Sequence, residues 1–484
     1  MAKLAKLAIT VVAAACLTKQ VSAQTATAGT QPPTATEAWQ APTLTITRYD
    51  EHYDQLASSA ARTDHWTEPF KYIPVGDDAY LTTGIELRAR NETYHNNLWG
   101  GGDAPDDSYL WLRAMPYADL HIGTGALGAR AFVQPILAYA VGVAPSAGPV
   151  DQTRTDVLQG FVDLRLGAQT NAIDGAGVTL RAGRQMLSLG TERLVGTRYG
   201  PNVPLAFDGL RGLVSLKGAT ITLLAVRPVT PGPGTFDDTR SRTKSLWGVY
   251  ATIPAIGLAS GIDVYWLGYR NTAARYGGVN GAEQRDSFGA RLFGASAGWH
   301  WNVEGVYQSG RFADEPISAW TIGTEAGHSF ADVPLKPDAV LRVNIVSGDR
   351  DRDDKRLNTF NALFPKGKYF GELSPVGPYN IISVNPRVAV ALASSVSASI
   401  AGMAYWRYSR ADGVYDIPGN LIRAAGSATA RFIGKEAEAT LAWQATPELE
   451  LSTSLSAFAP GGFIRQTGSA KTITMLGLET NFRF

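Results

Sequence analysis

The sequence has little of what most membrane and secreted proteins depend on. Its 484 residues include a single cysteine, Cys16, so disulfides and thiolate metal sites are excluded. No apolar run approaches the roughly 18 residues that a membrane-spanning helix requires. The formal net charge is only +1, from 44 basic and 43 acidic residues, so charge gives no indication of nucleic-acid binding. These absences exclude a helical membrane protein and a disulfide scaffold.

The N-terminus has the organisation of a secretory signal peptide. Two lysines precede an apolar stretch, and small residues before Gln24 form a cleavage site. We predict that residues 1–23 are removed. A lipid anchor on Cys16 is a weaker alternative, because Ala13 stands where such sites carry leucine. Residues 24–79 are predicted to form a periplasmic N-terminal arm, disordered where Thr, Ala, Pro and Gln dominate, and a segment leading into the main domain.

From residue 80 onward, short segments alternate between apolar and polar side chains. In the last one, Leu476 and Leu478 lie on one face of a strand and Glu479 on the other. Such a strand has lipid on one side and water on the other, and hydrocarbon allows no open sheet edge. The sequence therefore predicts an all-β fold, a transmembrane antiparallel β-barrel over residues 80–484 in a bacterial outer membrane.

The predicted number of strands follows from parity. A first count gives about nineteen, but a barrel with periplasmic N- and C-termini needs an even number. Joining residues 427–433 to residues 435–444 as one strand gives about 18 strands and connections that alternate in length. Short connections are then periplasmic and long ones extracellular, including residues 189–208, 271–285 and 348–379. A soluble β-sandwich has no reason to alternate in this way.

A barrel of this size encloses a water-filled lumen lined by the polar phase of its strands. Arginine dominates that phase. A guanidinium matches a carboxylate bidentately, and arginine rings in a narrow pore favour anions. The alternative is that these arginines pair with inward acids and stiffen the wall, and both roles are compatible. The predicted lining residues are Arg88, Arg90, Arg113, Arg130, Arg165, Arg181, Arg184, Arg291, Arg342, Arg387 and Arg407, with Glu86, Asp163 and Glu304.

The connection at residues 189–208 is rich in charged side chains. We predict that it folds inward as a constriction of the pore. The alternative is an extracellular loop that salt bridges hold to the rim. The predicted constriction residues are Glu192, Arg193, Arg198, Asp208 and Arg211.

Motifs of catalysis and metal binding have simpler explanations. Residues 294–298 match the Gly-x-Ser-x-Gly pattern of a nucleophile elbow, but they lie on a predicted hairpin with no following helix. We therefore predict no enzyme and no cofactor. Asp349, Asp351 and Asp353 lie close together in the sequence, yet their loop lacks the glycine and distal glutamate of an EF-hand. A solvated charged loop is the preferred interpretation, and a calcium site is the minor alternative.

Several segments resemble the alginate-export porin family of Gram-negative outer membranes, from about residue 48 to residue 484. They include Gly183-Arg184-Gln185, Gly190-Thr191-Glu192-Arg193-Leu194-Val195, Phe207-Asp208-Gly209, Ser347-Gly348-Asp349-Arg350-Asp351 and Lys368-Tyr369-Phe370-Gly371. The resemblance implies an 18-stranded barrel with an electropositive, arginine-lined pore that is occluded by loops. It also implies passage of a linear anionic polysaccharide such as alginate or related uronates.

Two functions stay open at this point. One is an anion-selective channel that exports an anionic polysaccharide, and the other is a passive uptake porin for small organic acids or sugars. The expected partners are the anionic poly- or oligosaccharide, outer-membrane lipid and lipopolysaccharide, with periplasmic secretion proteins as an option. We expect no nucleic acid, and we favour a monomer.

Overall fold

The computed structural model describes residues 44–123, 125–167, 176–216, 218–254, 260–351 and 353–484. The predicted signal peptide and the arm as far as residue 43 lie outside this part of the chain. So do residues 124 and 255–257, which belong to predicted periplasmic turns. Among the described residues, none of the helices is long and apolar enough to cross a membrane.

Eighteen antiparallel strands form one closed barrel, in which each strand pairs with its chain neighbours and the first pairs with the last. The strands are β1 (Ala79–His95), β2 (Asp107–Ile122), β3 (Leu127–Val141), β4 (Arg154–Gly167), β5 (Gly177–Met186), β6 (Ala206–Leu216), β7 (Ala219–Thr230), β8 (Lys244–Pro254), β9 (Gly261–Tyr276), β10 (Val279–Ser296), β11 (Trp299–Phe312), β12 (Glu315–Ser329), β13 (Asp338–Val346), β14 (Ile381–Ala393), β15 (Val396–Arg407), β16 (Phe432–Gln444), β17 (Leu449–Pro460) and β18 (Ile473–Arg483). The predicted β-barrel and its strand number are confirmed.

The remaining elements are short. Two-residue strands occur at Ile73–Pro74, Thr239–Arg240 and Val414–Tyr415, and a three-residue strand at Leu421–Arg423. The helical segments are 3-10 turns at Asp54–Ala57 and Ser59–Ala61, and helical turns at Glu68–Lys71, Asn97–Gly100 and Gly462–Gln466. None of them interrupts the barrel wall.

The strands alternate as the sequence predicts. In β1, Glu86, Arg88 and Arg90 are buried inside the barrel, whereas Leu87 between them is 42% exposed on the outer surface. Period-two alternation is the geometry of any β-strand, so one face meets lipid and the other the lumen. At the seam, Arg90 of β1 lies opposite Glu479 of β18, which brings opposite charges together where the sheet closes.

Two predicted boundaries need correction. The joined strand is β16, but it begins at Phe432, and residues 427–431 belong to the preceding loop. The predicted long loop at residues 271–285 is wrong, because β9 and β10 continue to a two-residue turn at Gly277-Gly278. Both glycines have positive φ, 55° and 90°, which allows a tight turn at little steric cost. The polar sequence here forms an extended hairpin.

The extracellular half of the barrel interior is filled by two long connections. Residues 187–205, between β5 and β6, and residues 347–380, between β13 and β14, contribute Leu194, Phe360 and Phe364 to a buried apolar cluster. We call them the constriction loop and the second inward loop. Their burial inside the barrel narrows the lumen and positions the charged groups described next.

Candidate functional site

The two inward loops hold each other by main-chain hydrogen bonds. Gly196 N donates to Phe364 O at 2.8 Å, and Phe364 N donates to Leu194 O at 2.8 Å. Lys366 N donates to Glu192 O at 3.0 Å, and the Glu192 carboxylate accepts from the amide and hydroxyl of Thr197, both at 3.1 Å. The loops therefore form a single layer across the barrel.

Arg88 and Arg113 attach the constriction loop to one wall of the barrel. Arg88 donates to the carbonyl oxygens of Gly200 at 3.0 Å and Pro201 at 2.8 Å. Arg113 donates to Pro201 O at 3.2 Å and to Glu86 at 2.6 Å, and its guanidinium lies 4.3 Å from the ring centre of Tyr199. Both guanidinium groups are buried and engaged, so their position fits a brace for the loop.

Arg193 attaches the same loop to the far wall. Its guanidinium donates to Glu304 of β11 at 3.0 Å, to Asn344 of β13 at 3.0 Å and to the Tyr369 hydroxyl at 2.9 Å. Burial alone would lower the pKa of Arg193, but Tyr369 and Glu304 reverse this and raise it. A Cβ atom at Gly323 would overlap this guanidinium, so glycine makes the room that Arg193 occupies.

The second inward loop is joined to the barrel seam by a charge network. Lys368 lies 2.8 Å from both Glu92 and Glu372, and Arg90 lies 2.7 Å from Glu372 and from Glu479. Burial opposes ionisation of Glu372, yet Lys368 and Arg90 lower its pKa to about 2. Glu372 is therefore ionised at neutral pH.

Four other predicted lining arginines are paired with inward acids of neighbouring strands. These pairs place a cation and an anion side by side on the wall, as the scaffold alternative requires. They are Arg130 with Asp119, Arg181 with Asp163 at 2.8 Å, Arg291 with Asp263 at 2.5 Å and Arg342 with Glu325 at 2.7 Å.

Two arginines hold connections. Arg407 donates to Ala430 O at 2.6 Å and to Arg410 O at 2.8 Å, and so fixes the β15–β16 loop. Arg165 donates to Gly123 O at 2.9 Å in a periplasmic turn.

Three residues lie elsewhere than predicted. Arg184 is three residues beyond the inward Arg181, so it lies on the opposite phase of β5, paired with Asp208 at 2.8 Å. Asp208 and Arg211 are on strand β6, outside the constriction loop. Arg211 is in register with Arg181 and shares its inward phase. Because β6 begins at Ala206, the loop ends at residue 205, three residues earlier than the polar sequence indicates.

Arg198 lies in the layer where the two inward loops meet. Gly367 packs beside its side chain, and a Cβ atom there would lie 3.4 Å from Cγ of Arg198. Burial lowers the pKa of Arg198, and Tyr379 and Asp416 partly offset this. Arg198 therefore faces the second inward loop.

One side of the periplasmic half is lined by small residues and partly free cations. Arg342 of β13 and Arg387 of β14 have side chains 32% and 50% exposed. Lys366 of the second inward loop lies nearby, and burial, then Arg342, lowers its pKa to about 8. We call Arg342, Lys366 and Arg387 the basic passage. The adjoining inner face of β15–β17 carries mostly short side chains, among them Ser397, Ser399, Thr440 and Ser452, and it also bears Glu438, Gln444 and Glu450.

The opposite side of the periplasmic half is filled by the segment that precedes β1. The Tyr49 ring packs against Phe132 and Phe161 at 5.9 and 5.3 Å, and its hydroxyl donates to Met186 O at 2.7 Å. Arg48 donates to the main-chain oxygen of Phe484 at 2.7 Å. This packing occupies the side of the lumen bounded by β3, β4 and β5, away from the basic passage on β13 and β14.

Sequence reasoning missed several charged residues of the interior, including cations of the second inward loop and of β10. Lys366, Lys368 and Glu372 lie on a loop without periodicity, so no pattern could reveal that they point inward. Arg285 lay in a predicted loop, but it is buried on β10 and bonded to Glu283 at 2.6 Å. The spacing Glu283-x-Arg285 was the signal that could have placed it on a strand.

Two of the three aspartates of the suggested calcium loop turn toward main-chain amides of their own segment. Asp349 accepts from Arg350 N at 3.1 Å, and Asp351 accepts from Asp353 N at 3.0 Å. The described residues hold one group of carboxylates close enough to share a metal ion, formed by Asp156 of β4 with Asp237 and Asp238 of the connection between β7 and β8. Their oxygens also accept local hydrogen bonds.

Comparison with known proteins assigns the family. The model of the alginate export family matches residues 79–476. The chain belongs to this family. The match covers all but the last strand residues of the barrel, and it agrees with the resemblance found from the sequence. No curated protein sequence is significantly similar to the chain.

Solved structures of outer-membrane porins have the same fold. Acinetobacter baumannii OccAB1 is 12% identical, with a TM-score of 0.56 over 86% of this chain and 99% of that one. Pseudomonas aeruginosa OccK2 (OpdF), solved in complex with glucuronate, is 14% identical, with a TM-score of 0.55 over 83% and 98%. A BenF-like porin from Pseudomonas fluorescens Pf-5 is 10% identical, with a TM-score of 0.55 over 84% and 98%. At these identities the likeness concerns the fold, and with the family match it makes this alginate export family member an outer-membrane channel.

Proposed function

We propose that this outer-membrane channel is selective for anions and passes an anionic uronate polymer or its oligomers through the basic passage. The observation that carries the proposal is the position of Arg342, Lys366 and Arg387. They lie on the side of the lumen away from the segment that carries Tyr49, and two of them keep exposed guanidinium surface. A uronate chain carries a carboxylate on each sugar, so it can exchange one cation for the next as it moves.

The charge balance of the basic passage supports weak, reversible binding. Arg342 is paired with Glu325 at 2.7 Å, whereas Arg387 lies 3.8 Å from Asp338. Within the described part of the chain, no carboxylate lies within 4.0 Å of Lys366. Conduction needs sites that attract an ion and still release it. The acids weaken the attraction of anions to the basic passage, and the surplus of cations makes the passage favour anions over cations.

Reversal potentials in planar bilayers under a KCl gradient test this proposal. We expect an anion-selective channel, and we expect Lys366→Gln with Arg387→Gln to reduce the anion-to-cation permeability ratio several-fold. Lys435→Gln is the matched control, because Lys435 is exposed on the outer phase of β16 and lies outside the lumen. Cation selectivity of the unaltered protein, or equal loss in the control, would contradict the proposal.

Uptake of small organic acids is the second candidate function. The observation in its favour is the layer of two loops across the barrel, together with the glucuronate bound to OccK2 (OpdF). Current block by uronate oligomers distinguishes the two. If only the monomer enters proteoliposomes and oligomers neither block nor pass, uptake of small acids is the better description.

A further inference from the structure

The outer surface of the barrel has an apolar groove of about 760 Å³ between β8 and β12. It lies on the lipid-facing phase, so its walls are side chains that point away from the lumen. The floor is made of small residues, Ala251, Ala290 and Gly305, and the walls of Trp266, Phe288, Tyr307, Trp320 and Ile322.

Gly305 makes the groove deep. A Cβ atom built at this position would meet no heavy atom within 4 Å, so the space above it is open. Large aromatic side chains flank it, with Phe288 on the neighbouring strand β10 and Tyr307 on β11 itself, and each is exposed by about half. A depression with aromatic walls on a lipid-facing surface has the shape for one acyl chain.

Two arginines lie next to the groove on its extracellular side. The register places Arg270 of β9 beside Gln284 of β10, and Gln284 beside Arg311 of β11. Both arginines are exposed on the outer phase, and no carboxylate of the described residues lies within 4.0 Å of either. One strand separates them, so their Cα atoms are about 10 Å apart and their long side chains can reach a common anion between them.

The heights of the groove and the cations match those of a lipid. Arg270 is four residues beyond Trp266, which is about 13 Å along the strand and about 10 Å along the membrane normal at a tilt of about 40°. The outward side chains between the groove and the two arginines form a polar row, Asp286, Ser309 and Ser318. Trp266 Nε1 donates to Asp286 at 2.9 Å, so this carboxylate has a partner of its own.

We propose that this face binds lipopolysaccharide. One acyl chain lies in the groove over Gly305, sugar hydroxyl and amide groups meet the polar row, and a phosphate binds between Arg270 and Arg311. Arginine pairs with phosphate through charge-assisted bonds, and the site opens on the extracellular side, where this phosphorylated glycolipid is the outer-leaflet lipid. The negative Asp286 at mid-height favours a headgroup that presents hydrogen-bond donors there. The site is independent of the pore and of its proposed selectivity.

Native mass spectrometry of the folded barrel in detergent tests the site, with diphosphorylated and dephosphorylated lipid A as probes. We expect the unaltered protein to bind the diphosphorylated form at least 10-fold more tightly. Arg270→Gln with Arg311→Gln should remove this difference, and Gly305→Leu should weaken binding of both forms several-fold. Heat-modifiable mobility on electrophoresis verifies that each variant is folded.

Two matched controls separate the site from general effects. Lys435→Gln removes a cation from the outer phase of β16, and Gly402→Leu fills an equally open glycine position on β15. Both should bind lipid A as the unaltered protein does. The proposal is overturned if the double arginine variant keeps its preference for phosphate, if Gly305→Leu changes neither affinity, or if phosphatidylglycerol binds as tightly as diphosphorylated lipid A.

Discussion

Loss of the Arg88 side chain should release the constriction loop from the barrel wall. Arg88 donates hydrogen bonds to three consecutive main-chain carbonyls, those of Tyr199, Gly200 and Pro201, at 3.2, 3.0 and 2.8 Å. Arg88→Leu keeps an apolar side chain of similar width but leaves the carbonyl of Gly200 without this donor. Arg113 still donates to the other two oxygens. The loop should therefore open more often without loss of the barrel.

The expected size of the effect follows from these bonds. A hydrogen bond to a charged group contributes about 1.5–3 kcal/mol, and since one guanidinium serves all three and Arg113 remains, we take about 3 kcal/mol for the set. A difference of about 3 kcal/mol changes an equilibrium roughly 100-fold. The population of the released loop should rise by this factor.

Cysteine labelling measures that population. The only cysteine of the chain is Cys16, in the predicted signal peptide, so a cysteine placed at Thr197 is the one reactive thiol of the mature protein. Thr197 is buried in the loop, so a cysteine at this position should react slowly with maleimide while the loop stays on the wall. We expect Arg88→Leu to raise the rate of maleimide labelling roughly 100-fold when opening is faster than labelling.

The control for this experiment is Arg407→Leu. Arg407 also donates to main-chain carbonyls, but it fixes the β15–β16 loop. Its loss should leave labelling at position 197 unchanged. An unchanged rate in Arg88→Leu, or an equal rise in both variants, would refute the idea that Arg88 holds the constriction loop.

Three further predictions concern glycine packing and pH. Gly323→Val should displace Arg193 and lower stability by about 1–3 kcal/mol, seen as a lower unfolding temperature, whereas Gly305→Ala, with free space above it, should be neutral. The pKa of Glu372 is lowered to about 2, so its ion pairs with Lys368 and Arg90 stabilise the second inward loop at every pH above the ordinary carboxyl pKa. This stabilisation is lost as the pH falls toward 2 and Glu372 becomes protonated. Channel conductance should thus be constant from pH 7 to 5 and rise on further acidification, and Glu372→Gln should show the raised conductance already at pH 7. The pKa of Lys366 is lowered to about 8, so anion selectivity should decline between pH 7 and pH 9, and Lys366→Arg should keep it constant.

Alternation along the strands was sufficient to place side chains on the correct phase, because the two-residue period is a local property of the backbone. It put Arg88, Arg113 and Arg181 inside the barrel, where the structure has them. It did not indicate what they bind. The acceptors of Arg88 are 111 to 113 residues away in the chain, on a loop that has no period of its own.

The residues that were placed wrongly also show what the sequence pattern cannot predict. Arg184 belongs to a short motif shared with the family, and the motif suggested a lumen position that the strand phase excludes. The hairpin at Gly277-Gly278 was hidden because its polar residues resemble a loop, although two adjacent glycines are a strong signal for a tight turn. In both cases the local rule, strand phase or a glycine pair, gives the correct placement.

The two roles considered for the arginines, anion path and wall scaffold, divide along the lumen according to what each guanidinium already holds. Arg113, Arg181 and Arg193 are buried against carboxylates or loop carbonyls, so removing one would leave an unpaired buried partner. Such groups have little capacity left for a passing anion. Arg387 is half exposed and only loosely associated with Asp338, and Lys366 of the second inward loop is partly exposed. Selectivity should therefore depend on the loosely paired cations, while the tightly paired arginines determine whether the loops stay in place to bring an anion past them.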